Sequence, residues 1–407
     1  MSSPELHKVT SRRVFYVPGY DPIPPRRYRE VYRKESAEQA RISGYEIAIC
    51  ARTGGSAFGW DVDARIDDVT VSSQITVLAW SDIVQGSMTS SILGTYLQLL
   101  RTAWIYIGSG ALRRLMRLRK GPVIAALYPV AVLLAQLLAA LLASFALWWA
   151  LAALMPGIGN LIGAALGAAS FILVLRWFKS KDGKVFAYYL MHDFSYSAAL
   201  HGAYSDALEG RMSEFGEMIA DALASDVDEV LVVGHSSGAH LAVSILADLI
   251  RARRVPPDGP ALGLLSLGQV VPMVAFLPEA HRLRADLRFL SRSDRLAWID
   301  VTAPGDGCTF ALCDPVSVTG VAPADKRWPL VFSAAFSQTL SPERLKQLKR
   351  RYFRLHFQYL CAFQRPKDYD YFQITAGPRT LADRYRDRGP SKSRVETPVS
   401  KYTSVAP

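Results

Sequence analysis

Cysteine is scarce in this chain: only four cysteines occur among 407 residues, and they are too scattered for a disulfide framework. Cys308 and Cys313 are close in sequence, but no nearby histidine or second cysteine pair completes a zinc-binding set. Residues 1–14 lack the apolar run of a secretory signal peptide. We therefore expect reduced thiols, no metal and no organic cofactor, with the first export signal lying inside the chain.

Charge is absent from one long segment, Gly121 to Leu175, which contains no Asp, Glu, Lys or Arg. As a single helix this segment would extend about 80 Å, far beyond the ~30 Å hydrocarbon core of a bilayer. Residues 155–160 (Met-Pro-Gly-Ile-Gly-Asn) divide it with turn-forming residues. We predict a transmembrane helical hairpin over residues 121–178, with spans at 123–154 and 157–177. A hairpin buried in a soluble core is the alternative, but soluble helices normally keep one polar face.

Positive charge exceeds negative charge: 47 Lys and Arg residues stand against 36 Asp and Glu, a formal net charge of +11. The basic side chains cluster beside the apolar segment, at Arg113, Arg114, Arg117, Arg119 and Lys120 before it and at Arg176, Lys179, Lys181 and Lys184 after it. A lipid bilayer explains this placement better than nucleic acid, because no zinc-finger or RNA-binding signature accompanies the charge. The positive-inside rule then predicts that both basic flanks, and with them the rest of the chain, are cytoplasmic.

Short β-rich segments alternate with helical patterns on both sides of the apolar segment. We predict strands at residues 13–17, 45–51, 69–80, 227–233, 262–267 and 296–301, and helices at 209–224 and 237–251. This alternation predicts an α/β fold with a doubly wound, mostly parallel sheet. Its two parts would be residues 1–120 and 179–379, with the hairpin inserted between them. Residues 380–407 have little apolar content and are predicted to be a disordered tail.

The sharpest chemical signal is the run Gly234-His235-Ser236-Ser237-Gly238. It follows the predicted strand 227–233 and opens a predicted helix. In a nucleophile elbow, the serine of G-x-S-x-G lies on a strained turn between a strand and a helix. The five letters alone are weak evidence, but with this context they favour Ser236 as a catalytic nucleophile over a plain glycine turn.

The run Gly234–Ala242 resembles the elbow of carboxylesterase-like and lipase-like members of the α/β-hydrolase superfamily. The resemblance covers roughly residues 12–120 and 184–375. Pro18-Gly19-Tyr20 resembles the oxyanion loop of that family, with proline in place of the usual histidine. By this likeness the main-chain N–H groups of Tyr20 and Ser237 would bind the oxyanion. A simple Pro-Gly turn ending a strand is the alternative.

Hydrolases of this type order their catalytic residues along the chain as serine, acid and histidine. Beyond the elbow helix, only His281 and His356 follow Ser236. His281 lies on a polar helix, whereas His356 comes after the acid candidates, so His356 is the predicted base. Asp306, in a Pro-Gly-Asp-Gly loop beyond a late strand, is the preferred acid.

Two other aspartates compete for the role of the acid. Asp300 lies within the predicted strand 296–301 and is the main alternative, while Asp314 lies further along the chain. With Asp306 as the acid, the expected function is a membrane-anchored serine hydrolase that cleaves a small-molecule or lipidic ester or thioester. An acyltransferase that shares the acyl-enzyme is one alternative, and a non-catalytic membrane-binding module is another. The oligomeric state is open.

Overall fold

The structure, a computed structural model, describes residues 8–52, 57–89 and 91–406. The strands are β1 Ser11–Val17, β2 Glu46–Ala51, β3 Gly59–Ile66, β4 Val69–Val77, β5 Glu229–His235, β6 Ala261–Leu267, β7 Ala297–Thr302 and β8 Leu330–Ser333. They form one sheet in the order β2-β3-β4-β1-β5-β6-β7-β8. Only β3 runs against the others, because it pairs antiparallel with both β2 and β4 while the remaining pairs are parallel. The predicted α/β fold with a mostly parallel sheet is confirmed.

Helices connect the strands and cover the sheet. Those before β6 are α1 Arg26–Ser43, α2 Ser81–Ser87, α3 Ile92–Gly108, α4 Ala111–Leu115, α5 Lys120–Leu154, α6 Gly159–Ser180, α7 Asp182–Val185, α8 Ala187–Ala198, α9 Asp206–Leu223 and α10 Gly238–Arg251. After β6 come α11 Val271–Ala275, α12 His281–Leu290, α13 Pro315–Thr319, α14 Phe336–Thr339, α15 Pro342–Leu348, α16 Tyr352–His356, α17 Tyr371–Ala376 and α18 Leu381–Arg384. A 3₁₀ turn at Phe357–Leu360 follows α16 directly.

Two apolar cores lie on the two faces of the sheet. Along β5 the side chains alternate, so that Val230 and Val232 join one core and Leu231 and Val233 join the other. The first core includes residues of α3, α8, α9, α10 and α12, and the second includes residues of α1 and α17. Since both faces are covered, β5 is buried along its whole length, which explains the unbroken apolar run of residues 230–233.

The charge-free segment forms two antiparallel helices, α5 and α6, of 35 and 22 residues. Both are long and apolar enough to cross a membrane, and only 17% of the most apolar part of each is buried. The turn between them, residues 155–158, falls where turn-forming residues predict it. Helices in the core of a soluble protein are mostly buried, so this exposure disfavours the soluble-core alternative.

Glycines bring the two long helices into contact. Gly159, Gly163 and Gly167 recur every fourth residue of α6 and are buried. A Cβ on Gly163 would lie 2.9 Å from the carbonyl oxygen of Trp148, and one on Gly167 would lie 3.0 Å from that of Ser144. Small residues at this spacing allow close helix approach where the surroundings offer no hydrophobic driving force.

Replacing Gly163 by leucine should therefore push α6 away from α5. We expect Gly163→Leu to destabilise the hairpin by about 1–3 kcal/mol, the usual cost of overpacking, seen as a lower unfolding temperature in detergent. Ala165→Leu is the matched control, because Ala165 is exposed on the same helix. Equal unfolding temperatures for the two variants would show that the glycine contacts do not hold the hairpin together.

The prediction that residues 380–407 form a disordered tail is wrong for the described residues, which end at 406. Leu381 and Tyr385 are buried in the second core. Further on, Val395 pairs with Cys313, and the carbonyl oxygens of Val399 and Ser404 accept hydrogen bonds from Arg114 and Arg284. The segment is low in apolar residues on average, but main-chain bonds to arginines, which composition does not reveal, hold it against the domain.

Candidate active site

Ser236 occupies the turn between β5, which ends at His235, and α10, which begins at Gly238. Its φ of 57° lies in the left-handed region, which a residue with a Cβ adopts at an energetic cost. A Cβ on Gly238 would lie 2.1 Å from the carbonyl oxygen of Val17, and one on Gly234 would lie 2.7 Å from the Cα of Ala239. Both positions of the motif therefore require glycine, because a side chain would clash with the neighbouring main chain. The turn has the geometry that a nucleophile elbow requires.

His356 is buried at the end of α16 and is joined to Asp306, in the loop after β7. Its Nδ1 lies 2.7 Å from Oδ2 of Asp306. The other carboxylate oxygen of Asp306 accepts a hydrogen bond from the main-chain N–H of Cys308 at 2.9 Å. These contacts fix both the carboxylate and the ring, which is how a triad acid orients a histidine.

The second ring nitrogen of His356 is free to act. Its Nε2 is buried and has no hydrogen-bond partner among the residues that the structure describes. Buried polar atoms are nearly always paired, so an unpaired one deserves a functional explanation. Gly268, whose φ is +54°, packs beneath the ring: a Cβ there would lie 3.0 Å from His356 Cε1. The ring is thus held in place while Nε2 remains available.

His235, which the sequence analysis did not single out, supports His356 from below. The two imidazole centroids are 4.8 Å apart, and His235 Nε2 donates to the carbonyl oxygen of His356 at 3.1 Å. Burial, followed by the nearby His356, lowers the pKa of His235 well below its usual value. His235 is therefore neutral, with its proton on Nε2, and it anchors the main chain at His356. Its position inside the G-x-S-x-G run was the only signal in the sequence.

Two main-chain N–H groups are available next to Ser236. Within the described part of the chain, neither the Tyr20 nor the Ser237 N–H donates a hydrogen bond. The loop that carries Tyr20 is fixed, because Trp80 Nε1 donates to the carbonyl oxygen of Pro18 at 2.9 Å and the Tyr189 hydroxyl donates to that of Tyr20 at 2.5 Å. A Cβ on Gly19 would lie 2.9 Å from the Cβ of Ser236, so the loop passes directly over the serine.

Ser236 and His356 line the same cavity, which has a volume of about 510 Å³. This is within the usual range for small-molecule sites, about 300–1,000 Å³. Its wall is largely apolar and includes Phe186, Tyr189, Phe194, Met273, Phe353 and Phe357. Pro122 and Ala125, in the first turns of α5, also belong to it. The cavity therefore lies at the base of the apolar hairpin.

Asp193 of α8 also borders this cavity, and sequence reasoning missed it. Its carboxyl group is enclosed by protein except where it borders the cavity. This burial raises the pKa of Asp193 to about 7, and the nearby His356 opposes the rise by a smaller amount. Asp193 lies 18 residues after Leu175, the last residue of the charge-free segment, and no motif in the sequence indicates such a position. Only the packing of α8 against the loop of Tyr20 brings it to the cavity.

The alternative acids lie elsewhere. Asp300 is buried within β7, where Oδ1 accepts a hydrogen bond from the Ser266 hydroxyl at 2.6 Å. Asp314 accepts main-chain hydrogen bonds at the start of α13 and pairs with Lys326. His281 lies at the start of α12 beside Glu279 and Arg284. Of the candidates, the structure brings together Ser236, Asp306 and His356, and it leaves these others apart.

One set of potential metal ligands overlaps this site. It consists of Asp306, Cys308 and His356, which each offer one donor atom, and these three atoms lie within 4.8 Å of one another. However, Asp306 and His356 already use one donor atom each in contact with one another. Burial and the neighbouring Asp306 raise the pKa of the Cys308 thiol well above its usual value, which opposes the thiolate form that binds metals. The geometry thus favours the hydrogen-bonded pair over a metal centre.

Comparison of the chain with protein-family models, with curated proteins and with solved structures finds no match in any of the three.

Proposed function

We propose that this protein is a serine hydrolase of the α/β-hydrolase type that cleaves an ester or thioester through an acyl-enzyme. The observation that carries the proposal is the cavity shared by Ser236, strained on its elbow, and His356, whose Nδ1 contacts Asp306 while its Nε2 is unpaired. The required chain order, serine before acid before histidine, is also present.

In the proposed reaction, Ser236 Oγ attacks the carbonyl carbon of the substrate and its proton passes to His356 Nε2. The oxyanion that forms accepts hydrogen bonds from the N–H groups of Tyr20 and Ser237. The intermediate then collapses, and the leaving alcohol or thiol takes the proton from Nε2. Water next attacks the acyl-enzyme and gives a proton to Nε2, which returns it to Ser236 Oγ as the carboxylic acid leaves. Asp306 stabilises the imidazolium in both halves.

The cavity favours a substrate with an apolar acyl group. Aromatic side chains form much of its wall, and the first turns of α5 complete it. We propose that α5 and α6 cross a lipid bilayer, so that the site lies at the membrane surface, where lipidic esters or thioesters are concentrated. By the positive-inside rule, the basic flanks Arg113–Lys120 and Arg176–Lys184 favour a catalytic domain on the cytoplasmic side.

A fluorophosphonate probe tests the proposed activity, because only an activated serine reacts with it. We expect the purified protein to be labelled once, at Ser236, as located by mass spectrometry. Ser236→Ala should abolish labelling, and His356→Ala should slow it strongly because the base is lost. Folded protein that takes up no label would point instead to a non-catalytic membrane-binding module.

Cysteine accessibility tests the proposed orientation. Ile158, in the turn between the long helices, is well exposed, and Lys392 is exposed on the catalytic domain. In intact cells a membrane-impermeant maleimide should label Ile158→Cys and leave Lys392→Cys unlabelled until the cells are opened. The reverse pattern would invert the topology, and protection of Ile158→Cys would indicate a hairpin that does not reach the far side.

A further inference from the structure

A stripe of exposed apolar side chains runs the length of α3, outside the two long helices. Its members are Leu93, Leu97, Leu100, Trp104 and Ile107, each between 57% and 79% exposed. The spacing of three or four residues places all five on one face of the helix. Single exposed apolar residues are ordinary, but a continuous row of five large ones marks an interaction surface.

The opposite face of α3 is fixed to the catalytic domain. Thr95, Leu99, Thr102, Ile105 and Tyr106 are buried there. The Tyr106 hydroxyl donates to the carbonyl oxygen of Met273, a residue of the cavity wall, at 3.0 Å. Arg101, the single charged residue of α3, donates to the carbonyl oxygen of Ala199. The stripe itself therefore carries no charge.

The stripe is continuous with the apolar hairpin. The Tyr96 hydroxyl of α3 donates to the carbonyl oxygen of Leu133 in α5 at 2.9 Å. From Leu134 onward, α5 again exposes large apolar side chains, among them Leu138, Leu141 and Leu142. Two exposed tryptophans, Trp104 on α3 and Trp177 near the end of α6, have the character of interfacial anchors.

The chain that follows α3 is basic on its exposed side. Arg113, Arg117 and Lys120 are exposed between the end of α3 and the start of α5. A charge-free apolar stripe followed by exposed cations matches the boundary between acyl chains and headgroups, where amphipathic helices lie in the plane of a membrane. A partner protein would explain the stripe equally well by itself, but it would not explain its continuity with the hairpin.

We propose that α3 lies in the membrane plane, with the stripe from Leu93 to Ile107 inserted into the lipid leaflet nearest the catalytic domain. This proposal rests on the proposed membrane crossing of α5 and α6. Together, α3 and the hairpin give the domain two contacts with one bilayer. Two contacts fix the tilt of the domain relative to the membrane, whereas a single flexible attachment would not. The cavity is held beside the leaflet, since Met273 on its wall is bonded to α3 and Pro122 and Ala125 belong to α5. A lipidic substrate could then reach Ser236 without crossing bulk water.

Depth-dependent quenching tests this position independently of any enzymatic activity. Single cysteines at Leu97, Leu142 and Ala37, each in a Cys50→Ser background, would carry an environment-sensitive fluorophore in reconstituted vesicles. All three positions are exposed, so labelling should not disturb the fold, and the background protein without an added cysteine corrects for labelling of the remaining thiols. The vesicles contain lipids with a nitroxide either near the headgroup or near the bilayer centre.

We expect the label at Leu97 to be quenched several-fold more by the shallow nitroxide than by the deep one. The label at Leu142 in α5 should show the opposite preference, and the label at Ala37 in α1, on the other side of the sheet, should not respond. Quenching at Leu142 without quenching at Leu97 would overturn the proposal for α3 while leaving the membrane hairpin intact. No quenching at either site would overturn both. Shielding of Leu97 from aqueous iodide without quenching by lipid would assign the stripe to a contact with a second copy of the chain and overturn the lipid proposal.

Discussion

Ser236→Ala is expected to lower kcat for a soluble p-nitrophenyl ester by up to about 10⁶-fold, the scale seen when the catalytic serine is removed from a serine protease. The reason is that Ser236, on the strained turn between β5 and α10, carries the proposed nucleophilic hydroxyl and shares the cavity with the unpaired Nε2 of His356. The measurement is steady-state hydrolysis by purified protein in detergent. The unfolding temperature should change little, since Ser236 is only partly buried.

Ser237→Ala is the matched comparison for this variant. Ser237 follows Ser236 directly, but the proposed reaction uses only its main-chain N–H, which alanine keeps. We expect Ser237→Ala to retain most of the activity. If Ser237→Ala were inactive and Ser236→Ala active, the nucleophile would be assigned wrongly.

Asp306→Asn is expected to lower kcat by about 10⁴-fold, as the equivalent change does in the well-studied serine proteases. An asparagine preserves the shape of the carboxylate but would offer an N–H or an uncharged oxygen to His356 Nδ1. The ring would then adopt the wrong tautomer or lose its stabilising charge. KM should change little, because Asp306 is buried behind His356 and does not line the cavity.

Asp300→Asn is the control for the acid, and we expect it to keep its activity. Burial raises the pKa of Asp300 to about 8, so the carboxyl is largely neutral at pH 7. The unfolded chain loses this proton near pH 4, and the folded protein keeps it up to about pH 8. In the wild-type protein, ionisation of Asp300 therefore lowers the free energy of unfolding as the pH rises from about 4 to about 8, with no further change above about pH 8.

Thermal unfolding of the two proteins between pH 5 and pH 8 should show this difference. Because asparagine does not ionise, Asp300→Asn should gain stability relative to wild type as the pH rises. A crippled Asp300→Asn together with a mild Asp306→Asn would reverse the choice of acid.

Most strands of the sheet could be predicted from the local pattern of apolar residues. The six strands predicted from apolar runs all occur, with ends shifted by at most three residues. Two strands were missed. In β3 the buried Trp60, Val62, Ala64 and Ile66 alternate with polar residues, a pattern that the prediction overlooked. β8 has only four residues, too few for a periodicity to be recognised.

Less of the candidate site than of the sheet could be predicted from local sequence. Ser236 could be identified locally, since the strand, turn and helix around it are consecutive in sequence. The preference for Asp306 over Asp300 and Asp314 rested only on its loop beyond a late strand, and no local pattern links it to His356, which is 50 residues away. Their environments differ only in the folded chain, where one contacts the histidine, one is buried in a strand and one caps a helix.

The sequence by itself determined the features that depend on neighbours along the chain: the alternation that produces an α/β sheet, the elbow at Ser236, and two long helices with a turn between them. Each of these follows from side-chain periodicity or from the conformational freedom of glycine within a few residues. Tertiary structure alone decided the pairing of Asp306 with His356, the placement of Asp193 beside the cavity, the order of the tail and the exposed face of α3. These features depend on which segments, distant in sequence, pack against one another. Burial, hydrogen bonding and charge affect a side chain only once that packing has formed.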